Sequence, residues 1–174
     1  MSNNLSQEKI VILAANGFNQ YEMTSMQRAL QSTGTSARVV AMGNTLIQGW
    51  SGSGWGHSFA ADQLLNEALA ADFTMLIVPG GKRSIETLKA TAHTKRFLRG
   101  FMDMGKKVVM FSDAVELLAF CECASGRVVS GSTDLKADLN QAGAQWQDNP
   151  VTIDGSLITV RGDDLEEEID LVMS

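Results

Sequence analysis

Lys107-Val-Val-Met-Phe-Ser-Asp-Ala-Val-Glu-Leu-Leu-Ala119 passes from an apolar run straight into a helix-period segment, and its reading decides the fold. Such a run reads as a parallel strand buried on both faces, and a sharp turn after it reads as an elbow. An elbow lifts one side chain above the sheet edge, beside the positive end of the following helix, where an anion or a nucleophile is favoured. The tip residues here are Ser112 and Asp113, a hydroxyl and a carboxylate. Neither is a strong nucleophile unaided, so the position is that of a catalytic residue while the chemistry is not.

Working outward, short apolar runs alternate with helix-period segments, the pattern of parallel strands joined by crossover helices. Residues 9–15 predict a first buried strand. After Asn16-Gly17, Met23, Met26 and Leu30 recur at helical spacing up to Gly34, and residues 37–42 predict a second strand. Residues 43–58 hold five glycines with Trp50 and Trp55 and predict a loop or small hairpin. A strand over residues 74–78 closes on Pro79-Gly80-Gly81. Phe97, Leu98, Phe101 and Met102 mark one face of a helix ending at Gly105, and Leu135 and Leu139 mark another helix. Asp154-Gly155 predicts a hairpin turn between residues 151–153 and 157–160, before a short acidic helix. The expected architecture is a flavodoxin-like three-layer α/β sandwich, a mostly parallel sheet with helices on both faces and a C-terminal hairpin, formed by residues 1–174 as one domain.

The 174 residues carry 14 basic and 20 acidic side chains, a formal charge of −6. That balance argues against nucleic acid or an anionic membrane surface as the main partner and favours small molecules or proteins. No apolar run approaches the ~20 residues of a spanning helix, and Met1 to Ser6 lack a basic start and apolar stretch, so a cytoplasmic protein is expected. Cys121 and Cys123, one residue apart, suit neither an ordinary disulfide nor a zinc site and fit a reducing compartment. No metal or cofactor is expected, since Asp113 has no ligand-spaced neighbours.

Several ordered pieces carry a resemblance. They are Ile12-Leu-Ala-Ala-Asn-Gly-Phe-Asn-Gln-Tyr-Glu22, Gly56-His-Ser-Phe-Ala-Ala-Asp62, Leu76-Ile-Val-Pro-Gly-Gly81, Gly105-Lys-Lys-Val108, Asp138-Leu-Asn-Gln-Ala-Gly-Ala144 with Trp146, and Asp154-Gly-Ser-Leu-Ile-Thr-Val-Arg-Gly162. Over nearly its whole length the chain resembles the DJ-1/ThiJ/PfpI superfamily, in particular its PfpI-like intracellular protease/amidase branch. The resemblance implies a homodimer or larger ring. It also implies a cysteine and a histidine at the elbow, commonly followed by Gly-Pro, where this chain has Ser112, Asp113, Ala114 and Val115. Ser132-Thr133 replace the usual aromatic-Pro pair. Glu22 aligns with the buried family glutamate that contacts the cysteine, but Asn19 and Gln20 stand where acids are usual. Glu86 aligns with an acid that family members contribute across a dimer interface.

The loss is hard to repair chemically. A cysteine at a helix N-terminus ionises readily from a reference pKa of about 8.5, whereas a serine needs a positioned base such as histidine, and aspartate, at about 3.9, holds the proton too weakly. The only histidines are His57 and His93. His93 reads as a solvated helix-start residue. His57 reads as structural or exposed, with a route to the elbow, from its own or a neighbouring subunit, as the alternative. Ser112-Asp113 read most simply as helix caps, with Asp113 and Glu116 at capping-box spacing. Gly80 and Gly81 are expected to aim their amides at the elbow as an anion or oxyanion nest. Cys121 and Cys123 read as core residues, and residues 163–170 as a solvated acidic helix face. Three functions follow as expectations. One is a non-peptidase binding or stress-related oligomer that uses the old pocket, framed by Glu22, Gly80, Gly81, Ser112 and Asp113, for a small molecule or protein. The second is a serine-dependent hydrolase or amidase in which Glu22 or His57 assists Ser112. The third, implied by the family's homodimers and larger rings, is a pure assembly role.

Overall fold

The computed structural model describes residues 8–174. In chain order its elements are β1 (Ile10–Ala14), β2 (Phe18–Asn19), α1 (Gln20–Ser32), β3 (Ala37–Ala41), β4 (Leu46–Trp50), β5 (Trp55–Ala60), β6 (Gln63–Leu64), β7 (Met75–Val78), α2 (Lys82–Leu88), α3 (Ala92–Asp103), β8 (Lys107–Phe111), α4 (Leu117–Phe120), β9 (Val128–Val129), α5 (Lys136–Gln141), β10 (Gln145–Trp146), β11 (Val151–Asp154), β12 (Leu157–Val160) and α6 (Leu165–Met173). Seven strands form the main sheet in the order β11-β12-β8-β7-β1-β3-β6. All neighbours run parallel except the β11/β12 hairpin. β9 and β10 make a separate parallel pair, and β2, β4 and β5 a small third sheet.

The continuous apolar runs follow from burial on both faces. Along β1, Val11 and Leu13 face one core, joined by Leu76, Val108 and Met110 from the neighbouring strands and by Ile85, Phe97 and Phe101 from α2 and α3. Ile10, Ile12 and Ala14 face the other, with Val109, Met23 and Met26 of α1, and Ile169 and Val172 of α6. Alternate side chains thus enter two layers, and each fully buried Leu, Ile or Phe contributes about 1.5–3 kcal/mol relative to its exposed state. This is the expected three-layer sandwich. Among the described residues no helix is long and apolar enough to cross a membrane.

Register is what builds the site. Val78 pairs with Met110 and Val160 with Phe111, so the chain beyond β7, β8 and β12 leaves the sheet at one level. Gly80, Ser112 and Gly162 therefore meet at the carboxyl ends of the strands, the usual crevice of open α/β sheets. Pairing of Asn19 with Trp50 sets the small sheet beside the same crevice.

Candidate functional site

Ser112 has φ 46, one of only two positive-φ non-glycine residues among those described. Such a backbone costs on the order of 1–3 kcal/mol and persists only where surroundings enforce it. Its hydroxyl lies 3.1 Å from Glu22 Oε1, which also accepts the Gly80 N–H at 2.7 Å. Glu22 comes from the first turn of α1, where Asn19 caps the helix by accepting the N–H groups of Tyr21 and Glu22. The elbow is enclosed: Glu22 is 1% exposed and Ser112 8%. A side-chain carbon on Gly80 would stand 2.1 Å from Ser112 Oγ, and one on Gly162 3.0 Å from Glu22 Oε2 and from Ser112 Cβ. Only glycine admits the pair on both sides.

Burial pushes the Glu22 carboxyl up to about 7 against the opposing hydrogen bonds from Gly80 and Ser112, and the nearby Asp113 and Glu168 raise it further. The expected contact between Glu22 and Ser112 is therefore present. No histidine is hydrogen-bonded to Ser112 among the described residues. His57 is exposed on β5, and its main-chain N–H donates to Gln20 Oε1 at 2.7 Å. His93 is exposed at the start of α3, its N–H donating to the Thr91 hydroxyl that caps the helix.

Three expectations need correction. Residues 112–116 form a 3-10 turn without a side-chain cap, so Asp113 and Glu116 make no capping box. Asp113 accepts instead from Ser132 Oγ at 3.1 Å and the Gly81 N–H at 3.4 Å, and Glu116 pairs with Lys89 Nζ at 2.6 Å. Donors brought from three other places in the chain displace the local partners. Gly80 and Gly81 do flank the elbow, but their amides are spent on Glu22 and Asp113; the nest expected for an outside anion holds the protein's own carboxyl groups. The acidic stretch near the C-terminus is not a uniformly solvated face either. Glu168 is 1% exposed and accepts the N–H groups of Gly162 and Asp164, both at 2.9 Å, because its side chain folds back over the start of α6. The local spacing gave no signal for this, since the capping-box position three residues after the N-cap Asp164 is Glu167.

The cysteines fall as expected at the core. Cys121 is fully buried just past α4, and burial pushes its thiol up to about 12; Cys123 is half-buried and also raised, chiefly by burial. Neither resembles an activated thiolate. Glu86 is exposed and lies 3.3 Å from Lys89 Nζ.

Just outside the elbow lies a cavity of about 270 Å³ bordered by Asp113, Gly81, Arg83, Trp50 and Tyr21. Trp50 stood out only as part of the glycine-rich segment and Arg83 not at all, since nothing local in either segment couples them. The fold stacks them, with the guanidinium carbon 3.9 Å from the Trp50 ring centroid.

The fold agrees with comparison to known proteins. General stress protein 18 of Bacillus subtilis is 27% identical over 160 residues, covering 90% of each chain. Protein/nucleic acid deglycase 2 of Escherichia coli is 26% identical over 159 residues, again covering 90% of each. A two-domain Anabaena variabilis protein containing DJ-1/ThiJ/PfpI-like and ferritin-like domains superimposes with a TM-score of 0.86 at 25% identity, over 96% of this chain. This chain spans 47% of that longer one. The sequence profile of the DJ-1/PfpI family matches residues 8–173, and the chain belongs to that family.

Proposed function

We propose that this DJ-1/PfpI-family protein has lost the cysteine chemistry at its elbow and acts as a cytoplasmic, homo-oligomeric binding protein that takes a small polar molecule outside Ser112. The observation that carries the reading is the state of the elbow. Ser112 Oγ is held 3.1 Å from Glu22 Oε1, and Glu22 also takes up the Gly80 N–H that would otherwise face a developing oxyanion. A hydrolase needs the hydroxyl, a base and free oxyanion donors together, and here the Gly80 amide is already engaged by Glu22.

One observation favours a second reading, a serine-dependent hydrolase or amidase. A carboxyl pushed up to about 7 is matched to proton transfer near neutral pH and sits within hydrogen-bond reach of Ser112. The similarity to protein/nucleic acid deglycase 2 extends this alternative to glycated protein or nucleic acid as substrates. The two readings separate in one experiment: hydrolysis of ester and amide substrates and deglycation of glycated peptides, measured for the native protein and Ser112→Ala. The binding reading expects no turnover above buffer from either. Turnover in the native protein that disappears in Ser112→Ala would establish the hydrolase instead.

A further inference from the structure

We infer that the cavity outside the elbow binds a small zwitterion of the amino-acid type, its carboxylate on Arg83 and its ammonium group on Asp113; this deepens, and rests on, the binding-protein reading above. The two charged groups border one cavity of about 270 Å³. Each lacks an ionic partner: among the described residues the Arg83 guanidinium joins no ion pair, and no cationic nitrogen lies within 4.0 Å of Asp113. The remaining cation at the cavity, Lys82, lies 3.8 Å from Asp134. One positive and one negative group are therefore left facing the same space without meeting.

Arg83 is also held in place. Its stem crosses Gly17, where a side-chain carbon would come within 2.4 Å of Arg83 Cβ and where φ is +87, so the crossing requires bare backbone. Its guanidinium carbon lies 3.9 Å from the Trp50 centroid and 5.9 Å from that of Trp55. This placement brings the fork over the Trp50 ring, and among the described residues none of its N–H groups donates to a protein acceptor, which leaves them for a bidentate carboxylate. Asp113 is held by Ser132 and Gly81 and still borders the cavity. A simple anion on Arg83 would meet the Asp113 carboxylate, and a simple amine on Asp113 would meet Arg83. A molecule carrying both charges meets neither repulsion, and Trp50 and Tyr21 offer aromatic walls to its carbon chain.

The test is NMR titration of the full-length protein, following the Trp50 indole and Gly81 amide signals. The probes are glycine, β-alanine and 4-aminobutyrate, with acetate and ethylammonium as single-charge controls. Saturable shifts are expected from at least one zwitterion, with a dissociation constant at least about 10-fold below either control. Arg83→Gln and Asp113→Asn should each weaken that zwitterion about 10-fold or more, the loss of one charge-assisted contact. Acetate binding as tightly as the zwitterions, and more tightly still to Asp113→Asn, would replace the proposal with an anion site. Tighter ethylammonium would replace it with a cation site. No saturable shift from any probe up to about 50 mM would remove it outright. Such a failure leaves the binding-protein reading standing if native protein and Ser112→Ala alike show no turnover, whereas turnover lost in Ser112→Ala sinks that reading whatever the shifts.

Discussion

The elbow chamber and the cavity outside it are built from the same loops and differ in what they leave free. In the chamber the polar groups meet one another: the Ser112 hydroxyl and the Gly80 amide both meet on Glu22 Oε1, and Gly80 and Gly162 press closely on them from either side. In the cavity, Arg83 and Asp113 keep their charges unpaired beside exposed Tyr21 and half-buried Trp50. Tight packing keeps water from the Glu22 carboxyl and raises its pKa. On the proposed reading, recognition falls to the open layer rather than to the packed chamber.

The contrast can be broken most forcefully at Gly81. A side-chain carbon there would stand 2.4 Å from Gly17 O and 2.7 Å from Asn19 N, both backbone atoms, at φ +109. Gly81→Ala should cost about 3 kcal/mol or more, read as a large fall in thermal midpoint. A midpoint like that of the native protein would mean that the loop yields and the chamber is not rigid.

Next comes Glu22, whose carboxyl is raised from 4.5 to about 7 by burial. Between those values the unfolded chain releases its proton before the folded one does. Stability should therefore fall as pH rises from about 4.5 to about 7, by on the order of 3 kcal/mol, and level off above. Glu22→Gln should flatten that part of the profile in pH-dependent denaturant melts; an unchanged slope would show that Glu22 does not titrate in the chamber.

Ser112 should give a smaller effect, because two terms oppose. Ser112→Ala keeps the strain of φ 46 and loses one hydrogen bond, a cost of about 1 kcal/mol, whereas Ser112→Gly also relieves the strain and should stay within about 0.5 kcal/mol of the native protein. If glycine proves the worse of the two, the elbow is not strained. The smallest change is expected at the rim: Arg83→Ala loses an exposed stack on Trp50 and should shift stability by under about 1 kcal/mol. A larger loss would make Arg83 a structural strut and weaken its claim to a ligand.

Much of the frame was readable because apolar periodicity and glycine turns are local signals. The runs around Ile12, Ile77 and Val109, the hairpin at Asp154-Gly155 and the helix of Met23, Met26 and Leu30 appear within a residue or two of where the pattern places them. Capping was less legible. Asp113 and Glu116 have the right spacing, but Ser132, Gly81 and Lys89, all from elsewhere in the chain, take their carboxylates. Glu168 likewise reads as one more solvated acid until the Gly162 amide is set beside it.

The sequence by itself determined that two helix layers cover a parallel sheet, that an elbow follows β8, and that serine and aspartate stand at its tip. Those are matters of residue type and period, which act over a few neighbours along the chain. Tertiary structure realised the contact of Glu22 with Ser112 that the resemblance implied, burying the carboxyl enough to raise it to about 7, and it alone decided that the glycine amides are occupied from within and that Arg83 lies over Trp50 across from Asp113. Each of these depends on strand register and loop approach between segments 30 to 90 residues apart, where distance and desolvation, not residue type, set the energy.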